Sequence, residues 1–315
     1  MTEQLSSNPG LSLTKLLSAF GPNLEFSKDL AELSSFKTGG KARYFLSVGS
    51  ASEISKAVKA AKQLQIPCFI IGGGTNLLIS DSGFDGLIVK VDVAGLELKA
   101  ESEIICGAGE QLEALVGFAA DKALSGLEFA AGIWGTVGGA IYGNAGAYGG
   151  DMAGVVAELK LVNGEGEIKT VNNDYCRFGY RDSYLKKTGE TIVEALFRLQ
   201  KGEKAVIDKK IDEIMRERDR KFENIGCSAG CFFKNIPDPA QPHGKLSAGR
   251  LLEDAGVKQL EVGGAKVFEK HANIIVNKGN ATSKDIRRLA DIMKEKVKEK
   301  FGVELTEEII QIGDF

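Results

Sequence analysis

The sequence is poor in the residues that usually hold metals. It has two histidines, His243 and His271, and its only closely spaced thiols are Cys227 and Cys231. Zinc and iron–sulfur sites normally require more cysteine or histidine ligands than these, so we expect no metal site. The five cysteines are an odd number, and without an export signal they predict reduced thiols rather than a disulfide framework.

Long apolar runs and a strong excess of one charge are also missing. Residues 1–6 lack the basic segment and apolar core of a signal peptide, and no stretch approaches the roughly 20 apolar residues of a membrane span. The net charge is −3, and basic residues alternate with acidic ones over residues 294–300. We therefore expect a cytoplasmic protein that does not bind nucleic acid and is not inserted in a membrane.

Glycine, in contrast, is abundant and clustered. Residues 126–150 contain nine glycines in 25 positions, and Gly72, Gly73 and Gly74 follow the apolar run 67–71, which predicts a buried strand. Glycine lets a backbone approach another group closely, and successive N–H groups in a small-residue turn can bind an anion. The two clusters together favour a flat, phosphate-bearing cofactor, and the alternative for either one is a pair of tight turns.

One nucleotide-binding motif begins but is not completed. The sequence Gly-Ala-Gly-Glu-Gln-Leu at 107–112 follows a predicted strand, but Leu112 replaces the third glycine of the dinucleotide fingerprint. We interpret this segment as a turn. A GxxxxGK[ST] phosphate loop is also absent from the sequence.

Hydrophobic periodicity predicts α+β organisation over about 200 residues and a different, more charged region after residue 202. We predict three segments: an N-terminal segment at 1–35, a domain at 36–201 that contains both glycine clusters and a C-terminal domain at 202–315. The predicted helices are 11–20, 51–65, 207–222 and 283–301, and the predicted strands are 67–71, 86–91, 103–106 and 303–312, with a proline-rich loop at 236–242.

Six motifs occur in the order found in one enzyme family. They are TNLLISDSGFDGLIV, GLEFAAGIWGTVGGAIYGNAGAYGG, FGYRDS, GCFFKN, KHANIIVN and EEIIQIG. Over roughly residues 34–313 the chain resembles the UDP-N-acetylenolpyruvoylglucosamine reductases, the MurB family. The resemblance implies non-covalent FAD, NADPH as co-substrate, and reduction of UDP-N-acetylglucosamine enolpyruvate to UDP-N-acetylmuramate in peptidoglycan precursor synthesis. It also implies an α+β fold with a two-lobed FAD-binding domain of the vanillyl-alcohol oxidase type, followed by a smaller α+β substrate-binding domain.

The resemblance implies three catalytic residues. Arg181 would grip the substrate carboxylate, for which a permanently charged guanidinium fork is suited; its alternative role is a salt bridge to Asp182. Cys231 stands where most relatives have serine and would donate a proton; its alternative is a buried, inert thiol. Glu308 would assist protonation or orient the carboxylate, and strand alternation favours it over Glu307.

The remaining site residues are also implied by the resemblance. Tyr180, Lys221 and Asn235 would bind the substrate, although Arg220 competes with Lys221 for that assignment. Two residues depart from the family pattern, since Trp134 replaces a proline and Gly143 a methionine, and His271 is assigned to the fold. The flavin would be held by Gly72, Gly73, Gly74, Thr75, Asn76 and Leu77, and by Gly132, Gly135, Thr136, Gly138 and Gly139.

Two other functions remain open at this point. A different flavin oxidoreductase on the same cofactor domain would share the glycine clusters, but it would not need Arg181, Cys231 and Glu308 together. A non-catalytic sensor of flavins or nucleotide sugars would bind without turnover.

Overall fold

A computed structural model describes residues 9–241 and 244–315. Residues 1–6, Pro242 and His243, on which some sequence predictions depended, lie outside the described residues. Within them the chain forms two compact units. The first comprises residues 9–28, 42–73 and 85–215, and the second comprises residues 29–41, 74–84 and 216–315.

The first unit contains two larger sheets. Their strands are β1 (Leu24–Asp29), β2 (Lys41–Val48), β3 (Cys68–Ile71), β5 (Phe84–Val91), β6 (Leu96–Ala100), β7 (Glu103–Gly107), β11 (Val156–Val162), β12 (Ile168–Asn172) and β13 (Thr191–Arg198). One sheet has the strand order β1-β2-β5-β3, and the other has the strand order β12-β11-β13-β7-β6. Two short pairs accompany them: β8 (Leu124–Ser125) with β14 (Gln200–Lys201), and β9 (Gly146–Ala147) with β10 (Gly150–Asp151).

Helices alternate with these strands along the chain. They are α1 (Pro9–Phe20), α2 (Ala51–Gln63), α3 (Leu112–Asp121), α4 (Val137–Tyr142) and α5 (Leu185–Thr188), and α6 (Lys204–Phe222) continues into the second unit. The predicted helix at 51–65 is confirmed as α2, because the Ser50 side chain accepts the N–H of Glu53 and caps its first turn. Ile54 and Ala57 of α2 are buried in the same hydrophobic core as Leu87 and Val89 of β5.

The second unit is built around a long helix and short strands. The helices are α7 (Ala248–Asp254) and α8 (Ser283–Phe301), and the strands are β4 (Leu77–Ile79), β15 (Ile236–Pro237), β16 (Lys245–Leu246), β17 (Glu261–Val262), β18 (Ala265–Val267), β19 (Ile275–Asn277) and β20 (Ile310–Ile312). A capping box between Thr282 and Asp285 starts α8, and left-handed Gly302 ends it. Ile286, Leu289 and Met293 of α8 are buried, which confirms the predicted amphipathic helix.

Three details of the sequence prediction are wrong. The final strand covers Ile310–Ile312 and not 303–312, because β20 pairs only with the three residues of β4. The strand after Pro67 is not buried throughout: β3 lies at the edge of its sheet, so Cys68 is exposed and only Ile71 is buried. The expected loop at 236–242 begins with two residues that pair as β15 with β16.

Candidate functional site

The two glycine clusters contact each other in the first unit. A Cβ atom added to Gly72 would clash with Oγ1 of Thr136, and one added to Gly73 would lie 3.1 Å from Cα of Gly135. A side chain at either position would press against the second cluster, so glycine permits the close packing of the two segments. Gly73 and Gly139 are nevertheless exposed, so one side of this junction is open.

The turn at 107–112, which did not complete the dinucleotide fingerprint, supports the second cluster. The N–H of Leu112 donates to the carbonyl oxygen of Gly135 (2.9 Å), and the N–H of Gly138 donates to that of Ala108 (2.8 Å). A Cβ atom on Gly138 would lie 2.9 Å from Cβ of Ala108. The interpretation of this segment as a turn is confirmed, and the structure adds that the turn fixes the neighbouring glycine segment.

The first cluster continues into the second unit at Gly74. This residue has φ +67°, and a Cβ atom on it would overlap the carbonyl oxygen of Leu33. The N–H of Ser35 donates to the carbonyl oxygen of Gly74 (3.1 Å). Three residues after Ser35, the hydroxyl of Thr38 is buried and has no hydrogen-bond partner among the described residues. A buried hydroxyl without a partner is suited to meeting a ligand or a bound water.

Arg181 occupies a strained tight turn. Its φ is +53°, a region that long side chains rarely adopt. Gly179 and Asp182 close the turn, since the N–H of each donates to the carbonyl oxygen of the other (2.9 and 3.2 Å). The guanidinium lies 5.5 Å from the ring centre of Tyr180. Such strain is typical of residues that must be aimed at a ligand.

Two hydrogen bonds hold this turn against the C-terminal end of α4 and the chain that follows it. Nδ2 of Asn144 donates to the carbonyl oxygen of Gly179 (2.8 Å), and the hydroxyl of Ser183 donates to that of Tyr142 (2.7 Å). Asn144 and Ser183 are both buried. Sequence reasoning missed both residues, although Asn144 lies inside the glycine-rich segment.

Cys231 and Glu308 lie on neighbouring paired segments of the second unit. The N–H of Glu308 donates to the carbonyl oxygen of Phe232 (2.8 Å), and the N–H of Lys234 donates to that of Thr306 (2.8 Å). Cys231 is half-buried, and its backbone forms a bridge to Ile274. The backbone pairing thus brings the two candidate residues close in the fold.

An asparagine holds the Cys231 segment in place. Oδ1 of Asn273 accepts the N–H of Phe233 (2.9 Å), and Nδ2 of the same amide donates to the carbonyl oxygen of Phe233 (2.8 Å). Asn273 is buried, and its own N–H donates to Nδ1 of His271 (3.2 Å). Burial, together with the charge of Lys221, lowers the pKa of His271 below its usual value, so this ring stays neutral at pH 7.

Glu307, the competitor of Glu308, is already engaged. Its carboxylate lies 3.1 Å from Nη1 of Arg287 and 3.4 Å from Nζ of Lys294, with 16% of the side chain exposed. The strand alternation used to choose between the two residues does not apply, because β20 begins only at Ile310. The carbonyl oxygen of Glu308 accepts a hydrogen bond from Nδ2 of Asn76 (3.1 Å).

The candidate residues for the substrate diphosphate have protein partners. Lys221 forms an ion pair with Glu217 one turn earlier on α6, and the hydrogen bond from Lys221 lowers the pKa of that carboxyl. Oδ1 of Asn235 accepts the N–H of Ala248 (3.1 Å).

Two kinds of feature are absent from the part of the chain that the structure describes. No group of three or more histidine, cysteine, aspartate or glutamate side chains within residues 9–241 and 244–315 is placed to hold a metal ion. In the same part of the chain, no helix has the length and apolar character needed to cross a bilayer.

Similarity to known proteins covers nearly the whole chain. A family model for an FAD binding domain matches residues 42–172, and one for the C-terminal domain of UDP-N-acetylenolpyruvoylglucosamine reductase matches residues 221–312. The UDP-N-acetylenolpyruvoylglucosamine reductase of Clostridium kluyveri is 38% identical over 93% of this chain and 94% of its own. That of Lachnoclostridium phytofermentans is 39% identical, over 91% and 92%.

The chain belongs to the UDP-N-acetylenolpyruvoylglucosamine reductase family. A solved MurB structure from Thermus caldophilus matches with a TM-score of 0.76 and 31% identity, over 92% of this chain and 98% of that one. Phl p 4, a grass pollen allergen with glucose dehydrogenase activity, matches with a TM-score of 0.50 and 17% identity over 61% of this chain and 44% of its own, which shows the fold alone.

These matches confirm several expectations from the sequence. The resemblance to the MurB family, the two-part α+β fold with a vanillyl-alcohol oxidase type cofactor domain, and the class of FAD-dependent oxidoreductase are all confirmed. In this member of the MurB family, the structure brings Gly72 and Gly73 together with Gly135 and Thr136 in the first unit. It pairs the Cys231 and Glu308 segments in the second unit.

Proposed function

We propose that the chain reduces UDP-N-acetylglucosamine enolpyruvate to UDP-N-acetylmuramate, with NADPH as the reductant, for peptidoglycan precursor synthesis in the cytoplasm. The observation that carries this proposal is the match to reductases of that name along nearly the full length of both chains. We assign cofactor binding to residues 36–201 and substrate binding to residues 202–315.

The residues present fit an FAD site. Gly73 and Gly139 leave one side of the glycine junction open, and the buried Thr38 hydroxyl has no hydrogen-bond partner within residues 9–241 and 244–315. When bound, FAD supplies the hydride transfer that links NADPH to the enolpyruvyl carbon. The groups that would hold it are Gly72, Gly73, Gly74, Thr75, Asn76 and Leu77, with Gly132, Gly135, Thr136, Gly138 and Gly139.

Arg181 is assigned to the substrate carboxylate. Hydride addition to the terminal carbon of an enolpyruvyl ether places negative charge on the adjacent carboxylate group. A guanidinium opposes that charge at every accessible pH and can make two parallel hydrogen bonds to the carboxylate. The fixed, left-handed turn at Arg181 supports the assignment because it limits the directions that the side chain can take.

Cys231 is assigned to the proton that completes the reduction. Its Sγ–H would donate the proton to the ether-bearing carbon, and the resulting thiolate would regain a proton from water. An unperturbed thiol has a pKa of about 8.5, so it is a stronger acid than the serine hydroxyl of most relatives. Glu308 would assist protonation or orient the carboxylate, and its backbone hydrogen bond to Phe232, the residue after Cys231, supports that assignment.

Lys221 and Asn235 are assigned to bind the diphosphate of the UDP-sugar, and Tyr180 is assigned as a further contact with the substrate. Lys221 is exposed and its present partner is one surface carboxylate, a pairing weak enough for an anionic ligand to displace. Removing Lys221 is expected to raise the KM for the UDP-sugar without changing flavin reduction by NADPH.

The proposal is tested by following visible absorbance during anaerobic addition of NADPH and then of the enolpyruvyl sugar. We expect NADPH to bleach the flavin spectrum and the sugar to restore it. Bleaching without restoration would identify a different flavin oxidoreductase. A flavin that NADPH does not bleach would favour a non-catalytic binding protein.

A further inference from the structure

The turn that carries Arg181 is closed by its own backbone hydrogen bonds, and a hydrogen bond from a neighbouring segment fixes its position. The carbonyl oxygen of Gly179 accepts two hydrogen bonds, one from the N–H of Asp182 (3.2 Å) and one from Nδ2 of Asn144 (2.8 Å). The first bond forms the turn. The second ties the turn to the chain directly after α4, whose own first turn contains Gly138 and Gly139.

Asn144 is specialised for this task. It is 3% exposed and has φ +44°, a left-handed conformation that asparagine tolerates better than most residues. Besides the bond to Gly179, its Nδ2 donates to Oδ2 of Asp151 (3.3 Å), and its Oδ1 accepts the N–H of Ala153 (3.0 Å). The side-chain amide therefore joins the Arg181 turn, through Gly179, to the segment that contains Asp151 and Ala153.

We propose that Asn144 is a positioning residue for Arg181, setting the distance between the carboxylate-binding guanidinium and the glycine segment assigned to the flavin. This inference rests on the proposed function, in which Arg181 binds the substrate carboxylate. Because the Gly179–Asp182 bonds close the turn without Asn144, losing the tether displaces the turn rather than dissolving it. A displacement of about 1 Å at a reacting centre can cost on the order of a hundredfold in rate.

The decisive variant is Asn144→Asp. It keeps the shape, the tolerance of left-handed φ and the acceptor for Ala153, but it removes the donor to Gly179 and to Asp151 and places a second carboxylate beside Asp151. The matched control is Asn173→Asp. Nδ2 of Asn173 donates to the carbonyl oxygens of Ala153 (2.9 Å) and Val156 (2.7 Å), and within residues 9–241 and 244–315 it forms no hydrogen bond with the Arg181 turn.

The two half-reactions are measured separately by anaerobic stopped-flow absorbance of the FAD-loaded enzyme. For Asn144→Asp we expect unchanged flavin content and unchanged reduction by NADPH. Reoxidation by the enolpyruvyl sugar should slow tenfold to a hundredfold, roughly, with a raised KM for that sugar. Asn173→Asp should leave reoxidation unchanged. Equal loss in both half-reactions, or unchanged reoxidation in Asn144→Asp, would overturn the inference.

A second tether provides an independent variant if Asn144→Asp does not fold. Ser183→Ala removes the hydroxyl that donates to the carbonyl oxygen of Tyr142, and it should slow reoxidation in the same selective way. Unchanged reoxidation in a folded Ser183→Ala, when Asn144→Asp is not obtainable, would likewise overturn the inference.

Combination with Arg181→Ala separates this inference from the proposed function. If Asn144 acts only through Arg181, then Asn144→Asp should slow reoxidation no further once Arg181 is alanine. Additive slowing would refute positioning through Arg181. Normal reoxidation in Arg181→Ala alone would instead refute the carboxylate assignment, whatever Asn144 does.

Discussion

The glycine segments of the first unit and the Cys231–Glu308 region of the second unit are stabilised in different ways. At Gly73 and Gly138, backbones lie so close to their neighbours that one added carbon would be 2.9 to 3.1 Å from the next atom. At Cys231, the backbone is instead held by a buried amide, Asn273, that bonds both polar groups of Phe233. Added atoms should therefore lower the stability of the first region, and removal of polar groups should lower the stability of the second.

The largest effect is expected from Cys231, and it tests whether the chemistry of the second region depends on that single side chain. Cys231→Ala should still allow NADPH to reduce the flavin but slow the second half-reaction by roughly 10²–10⁴-fold, because the proton donor is gone. Cys231→Ser should keep measurable activity. Cys227→Ala is the control, since that cysteine is also half-buried and has no assigned role. Parental activity in Cys231→Ala would refute the donor assignment.

Removal of the amide that holds this region comes next. Asn273→Ala would leave the buried N–H and carbonyl of Phe233 without their partner and should lower the free energy of unfolding by about 3 kcal/mol. Urea unfolding followed by circular dichroism measures the change. Asn280→Ala, at an exposed position, should alter the midpoint little. A similarly small change in Asn273→Ala would show that the amide contributes less than its bonds suggest.

In the first unit, two helical glycines should respond with opposite signs. Gly138→Ala places a carbon against Ala108 and should cost about 2 kcal/mol from overpacking, with weaker FAD retention. Gly117 of α3 has no atom within 4 Å of an added Cβ, so Gly117→Ala should instead stabilise the helix by about 0.5–1 kcal/mol. Thermal unfolding of both variants measures these changes in stability. A change of the same sign in Gly138→Ala and Gly117→Ala would contradict the close-packing explanation.

The smallest effect is expected at Glu190, in a polar cluster of the first unit. This cluster sharpens the comparison because side-chain hydrogen bonds, and not close backbone packing, stabilise it. Burial raises the pKa of the Glu190 carboxyl, but hydrogen bonds from Lys169, Tyr175 and Thr188 outweigh it and hold that pKa below 4.5. A lowered native pKa stabilises the fold above the unfolded value and loses that contribution as pH falls through the native value.

Glu190→Gln should therefore cost about 1 kcal/mol at pH 7, with the difference from the parent shrinking below pH 4.5. Unfolding by urea at several pH values measures this. A difference that stays constant down to low pH would show that charge at Glu190 contributes nothing.

The sequence patterns were most informative where one residue type decides the geometry. Glycine clusters and helical periodicity identified α2, α8 and both glycine segments, because steric freedom and apolar spacing are local properties. The extent of β20 was not predictable, since it depends on a three-residue partner more than 200 residues away. Asn144, Ser183 and Asn273 were missed for a similar reason: a buried amide or hydroxyl acquires its function only from the carbonyl that the fold places beside it.

Trp134 is the only tryptophan in the chain, it lies between Gly132 and Gly135, and 61% of it is exposed. Its near-ultraviolet emission therefore originates from one known position, without background from other indoles. Oxidised flavin absorbs in the range where indole emits, so energy transfer to a nearby flavin would dim this signal. The apoprotein thus contains an intrinsic optical reporter, and a fluorescence titration can measure cofactor affinity without any attached label.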